Sequence, residues 1–217
     1  MRIQSAAPAL AICLFLSSCQ SAYYGAMEKF GVHKRDILVD RVEEAREAQE
    51  DAKEQFESAF EQFLAVSEVD VGELKSTYDR LKEAYDKSET RAKAVRSRID
   101  AIDDVSKALF REWESELGDY NNQELRATSE RQLKQTRAQA ERLILAMRAA
   151  AAKMDPVLAA FSDQVLFLKH NLNAQAIAAL NKTSIELKDE VAALIRQMEA
   201  SIAEANAFVS QMRQGKD

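Results

Sequence analysis

Side chains able to do covalent or acid–base chemistry near neutral pH are scarce in these 217 residues: two cysteines, Cys13 and Cys19, and two histidines, His33 and His170. A metal site in a helical bundle needs inward carboxylates and Glu-x-x-His spacing, with a glutamate one turn before each histidine. Phe30 and Phe167 occupy those places. No glycine-rich phosphate loop is present, and the many carboxylates fall at solvated helix positions instead of forming an acid–base pair. The expectation is a protein that is not an enzyme, with no catalytic residue, no metal ligand and no cofactor.

The chemistry that the spacing does support is acylation of a thiol. After Met1 and Arg2, the stretch Ala6 to Leu16 carries no charge. It is too short to span a bilayer, which takes about 20 apolar residues, and reads as the hydrophobic region of a secretory signal. Leu16-Ser17-Ser18-Cys19 then resembles a bacterial lipobox, in which small residues admit the signal peptidase and the cysteine thiol becomes thioether-linked to diacylglycerol. The expected division is a signal peptide, 1–18; a lipidated tether, 19–35; and a helical coiled-coil domain, 36–217. Two or more acyl chains hold a protein stably on a membrane, where one binds marginally. Gln20 stands where an aspartate would favour inner-membrane retention, so the expected place is the outer membrane, facing the periplasm.

Without residues 1–18 the chain keeps 29 basic and 36 acidic side chains, a formal charge of −7. That balance does not suit nucleic acid. Cys13 leaves with the signal and Cys19 is alkylated, so no thiol remains for a disulfide, and stability must come from packing.

The elements that must supply this packing read as helices in series. Leu38, Val42, Ala45, Gln49, Ala52, Phe56, Ala59, Phe63 and Val66 alternate steps of four and three, a heptad seam with Gln49 its one polar member. A reset follows at Val69 to Glu73, where Asp70 and Glu73 are spaced for a capping box. A second seam runs from Leu74 through Leu81, Ser88, Val95, Ile102 and Ser106 to Trp113, which predicts a helix roughly 70 Å long over 71–117. Gly118 to Asn122 is a turn cluster, so the chain is expected to reverse. A third helix carries Leu125, Ser129, Leu133, Leu143, Met147 and Met154 on one side; Asp155-Pro156 then starts a fourth helix or kinks a continuous one. Thr183 to Glu186 offers another capping box, with Ile185 opening the apolar face of a last helix. Residues 36–68 hold eleven acids and three bases, residues 121–154 three acids and seven bases, so the first and third helices are plausible neighbours. The fold class expected is all-α, an elongated antiparallel bundle or coiled coil of four to five long helices.

Two stretches are candidates for specific contacts. Val157 to Leu180 has only Asp163 and Lys169 as full charges, and all-round apolarity implies a buried central helix. Inside it His170, Asn171, Asn173 and Gln175 would need buried partners and form a candidate polar network or docking site. Near the anchor, Tyr23, Tyr24, Lys34, Arg35 and Asp36 suit a membrane interface or a partner, and equally an ordinary tether and helix start, with Asp36 at the positive end of the first helix. An enzyme would need a cleft joining Lys34, Arg35 and Asp36 with His170 and Asn173.

The lipobox, Tyr23 to Gly31, His33 to Val42 and Leu168 to Gln175 together resemble a proteobacterial family of lipoproteins, domain of unknown function 2959, over essentially the whole mature chain. The resemblance implies an envelope location and a helical fold, and brings no activity or site residue with it. The functional expectation is a lipid-anchored structural, scaffolding or interaction module in the periplasm. It is held to the membrane by its N-terminal lipid and binds itself or another envelope protein. The alternative is a bundle that encloses lipid or peptide in a groove lined from Val157 to Leu180.

Overall fold

The computed structural model describes residues 33–214. Five helices follow one another: α1 (Lys34–Leu64), α2 (Leu74–Glu116), α3 (Gln123–Ala152), α4 (Met154–His170) and α5 (Ala174–Gln214). Short 3-10 turns at Ala65–Glu68, Val71–Glu73 and Leu117–Asp119 fill the first two connections. All nine positions of the first heptad seam are buried, Gln49 included. In the second seam Tyr78, Tyr85 and Trp113 are half-buried, and Leu74, Leu81, Val95, Ile99 and Ile102 are in the core.

The helices run alternately up and down as an all-α antiparallel bundle. Its length is set by α2, whose 43 residues span roughly 64 Å at 1.5 Å per residue. We call proximal the end where α1 and α3 begin and α2 and α5 finish; the other end is distal. Lys153, between α3 and α4, has φ −69° and ψ −16°, within the right-handed helical region, and its N–H reaches back to Ala150 O at 3.1 Å. The Asp155-Pro156 step is therefore a local break in one continuous arm, and both α3 and α4 pack on α2 and α5.

That arm sits diagonally from α1, which packs on α2 and α5 instead. The expected pairing of the first and third helices by charge is thus corrected. Helix α2, nearly neutral in sum, stands between them and answers each: Arg98 and Arg91 reach Glu44 (2.7 Å) and Asp51 (2.9 Å) of α1, while Glu114 and Asp103 receive Arg137 and Arg148 of α3, both at 2.7 Å. Exposed pairs contribute about 0–1 kcal/mol each, too little to override the apolar seams.

Three other local expectations are corrected. Glu73 is the residue before α2 and makes no side-chain cap bond; a 3-10 turn in which Glu73 N–H donates to Asp70 O (2.9 Å) replaces the capping box. Thr183 to Glu186 lies inside α5, with Ser184 fully buried and Ile185 59% exposed. Finally, Val157 to Leu180 is not one buried helix. Asn171 Nδ2 donates to Phe167 O (2.8 Å) and closes α4; Asn173 Oδ1 accepts Ala176 N–H (3.1 Å) and opens α5. Each arm of a four-stranded bundle has one inward face, so Leu166, Phe167 and Leu172 stay 57%, 39% and 47% exposed. On the inward face of α4, Phe161 stacks on Phe63 at 4.3 Å between centroids and on Phe56 at 6.3 Å.

Candidate functional site

The first turn of α1 holds the proximal end together. Lys34 Nζ donates to Glu112 Oε1 of α2 at 2.9 Å, with its own side chain only 11% exposed. Arg35 turns the other way, its Nη2 donating at 2.7 Å to the backbone oxygen of Met212 in the last turns of α5. The Arg35 Nε is buried and has no hydrogen-bond partner among the described residues. Asp36 is half-buried in the same turn, where a negative charge favours the positive end of the helix dipole.

Across from this turn stands Trp113 near the end of α2. Its Nε1–H donates to Ser129 Oγ of α3 at 2.8 Å, and Tyr120 Oη lies 3.4 Å from the same oxygen, so the α2–α3 turn is tied by one serine. Asn122 caps α3 by accepting the N–H groups of Glu124 and Leu125. Trp113 and Arg35 together wall off two recesses. One, of about 430 Å³, is bounded by His33, Lys34, Leu109, Glu112 and Glu116. The other, of about 340 Å³, lies between α3 and α5 and is bounded by Gln132, Gln135, Thr136, Gln139, Gln211 and Gln214, with Met212.

Farther along the α2–α3 seam, Asp103 accepts from Lys107 (3.0 Å) and Arg148 (2.7 Å). Partial burial works to raise its pKa, but these two hydrogen bonds and the charges behind them hold the carboxyl below its ordinary value. Arg137, bonded to Glu114, also lies over the Phe110 ring at 5.3 Å, and its pKa is raised, first by that hydrogen bond.

The structure brings Lys34, Arg35 and Asp36 together at the proximal end. His170, Asn171, Asn173 and Gln175 lie at the other, in the turn between α4 and α5 or beside it. The 31 residues of α1 alone put roughly 46 Å between the two sets, which removes the cleft that would have joined Lys34, Arg35 and Asp36 to His170 and Asn173. The predicted buried network is likewise corrected: His170, Asn173 and Gln175 are exposed, and the two asparagines are spent on capping. Cys19, Tyr23 and Tyr24 lie outside the described residues.

The buried polar layers are elsewhere. Ser201 Oγ donates to Gln49 Oε1 (3.1 Å), and Ser184 Oγ lies 3.0 Å from Gln164 Oε1 and 3.3 Å from Phe63 O. The amide nitrogens of Gln49 and Gln164 have no partner among the described residues. Gln49 is visible in the sequence as the polar member of its seam; Gln164 and Ser184 carry no comparable signal.

Among the described residues no cluster of three or more His, Cys, Asp or Glu side chains could hold a metal ion, and no helix is long and apolar enough to cross a membrane. No curated protein and no solved structure matches the chain. Residues 23–212 match the family described as Protein of unknown function (DUF2959), and with that span the protein belongs to this family.

Proposed function

We propose that the protein is a lipid-anchored envelope component whose helical bundle serves as an interaction module, with its proximal end turned toward the membrane that holds Cys19. What supports this most is the position of α1: it begins at Lys34, at the end of the bundle where the two recesses lie, and its first turn is locked to both α2 and α5. A tether of residues 20–32 reaches at most about 45 Å when fully extended, so an anchor at Cys19 would keep that end near the lipid surface. The distal end would then stand up to one bundle length farther out. Such a spacer suits scaffolding or docking better than catalysis, because its core is filled by packed rings and its charges are mostly paired on the surface.

Metabolic labelling with a clickable palmitate analogue in the source cell tests the anchor. The wild-type chain should take the label and sediment with outer membranes on a density gradient. Cys19→Ser should lose the label and move to the soluble periplasmic fraction. A variant that keeps both label and membrane association would overturn the reading.

A further inference from the structure

We infer that the recess between α3 and α5 at the proximal end is a binding site for uncharged sugar units. Five of the chain's fourteen glutamines converge there, Gln132, Gln135 and Gln139 from α3 and Gln211 and Gln214 from α5, with the Thr136 hydroxyl among them. Among the described residues, none of these six side chains pairs with another protein group.

The patch differs in composition from the rest of the surface. The chain is 30% charged, yet of the nine residues bounding this recess only Arg35 is ionic, and its Nη2 is already given to Met212 O. Apart from the Arg35 guanidinium, the polar groups of the lining are five amides and one hydroxyl, none of them charged. They offer donors and acceptors side by side, which is what a sugar hydroxyl, itself donor and acceptor, requires. Trp113 adds an apolar wall to the recess. Its one polar group is committed to Ser129, so what the ring adds to the recess is carbon surface, suited to the C–H face of a pyranose. The volume, about 340 Å³, falls at the low end of the ~300–1,000 Å³ typical of small-ligand sites. A polymer glycan and the sugar headgroup of a lipid share this chemistry.

Trp113 is the only tryptophan, so its fluorescence reports this wall of the recess. The full-length chain, held in a detergent without a sugar headgroup, is titrated with the tetramer of N-acetylglucosamine, and separately with vesicles containing digalactosyl diacylglycerol. A saturable change in Trp113 emission is expected, at least tenfold weaker in the double variant Gln135→Leu, Gln139→Leu, with Gln175→Leu at the distal end as an unaffected control. Response to the soluble tetramer assigns the site to a polymer, and response to the vesicles alone assigns it to a lipid headgroup. No saturable change with either probe up to about 10 mM sugar, where even a millimolar site is mostly filled, overturns the inference. So does a change that survives undiminished in a double variant whose melting curve shows it folded. Membrane attachment does not enter this readout, so its outcome is separate from that of the Cys19→Ser experiment.

Discussion

Toward the distal end, Phe56, Phe63 and Phe161 are fully buried and stack across the core between the diagonal helices α1 and α4, and a serine–glutamine pair sits beside them. At the proximal end Phe110 and Phe208 are buried too, but Trp113 is only half-buried and Tyr120 is 40% exposed, and Trp113 and Arg35 border two recesses. One bundle thus contains a region closed by apolar packing and a region held by hydrogen bonds between side chains and helix ends. The first confers stability through buried apolar surface. The second sets exposed polar groups beside its packed residues, as a binding surface does.

The largest effect should come from the closed region. Phe161→Ala removes a ring that contacts two others in a site with no solvent access, and should cost ~3–5 kcal/mol in unfolding free energy. For a domain of this size each kcal/mol lowers the melting temperature by about 2–4 °C, so calorimetry resolves it easily. A loss below about 1 kcal/mol would mean that the distal stack is not the stabilising region and would dissolve the contrast.

The buried layer beside the stack sharpens it. Ser184→Ala strips the Gln164 amide of its hydrogen bond inside the core and should cost about 1–3 kcal/mol. Adding Gln164→Leu removes the orphaned amide as well, and the double variant should recover most or all of that loss. If the second substitution instead deepens the loss, a buried water satisfies the Gln164 amide, and the layer is wetter than the stack beside it.

What could be read in the sequence divides along related lines. The seams of α1 and α2 were legible because a helix facing two neighbours along its whole length must repeat its apolar residues with heptad spacing, and nothing interrupts them from Leu38 to Phe63 or from Leu74 to Leu109. The diagonal placement of α1 and α3 was not, since the net charge of a helix says nothing of how its neighbour divides its own charges: α2 presents Arg91 and Arg98 one way and Asp103 and Glu114 the other. The turn at Asn171 to Asn173 was hidden by the apolar residues around it, although two asparagines two apart are a sound stop-and-start signal. At the proximal end Lys34, Arg35 and Asp36 were legible as a group because they are adjacent in the chain. Trp113, Ser129 and the glutamines of α3 and α5 were not, because only the fold brings them together.

At the open end, Trp113→Phe keeps most of the ring and removes the donor to Ser129, so it should cost only about 1 kcal/mol. Urea unfolding, followed by circular dichroism, gives the number. A loss as large as that of Phe161→Ala would show that the proximal end is as tightly closed as the distal one, with the recesses incidental to its packing.

The smallest effect concerns Asp103, which lies between the two regions on the α2–α3 seam. Its folded pKa is held below the ordinary aspartate value of about 3.9, by hydrogen bonds from Lys107 and Arg148 that outweigh its partial burial. A depressed carboxylate contributes stability that is fully present above the unfolded pKa and is lost as the pH falls through the folded one. The contribution should therefore be constant from neutral pH down to about pH 5 and shrink as the pH falls below about 4 and through the folded pKa. Asp103→Asn should cost at most about 1 kcal/mol at pH 7 and less at pH 3, so the wild-type and variant stability curves should converge on acidification. Curves that stay parallel between pH 7 and pH 3 would mean that the side chain acts through packing and not through its charge. The α2–α3 seam would then belong with the closed region, its ion pairs contributing nothing measurable.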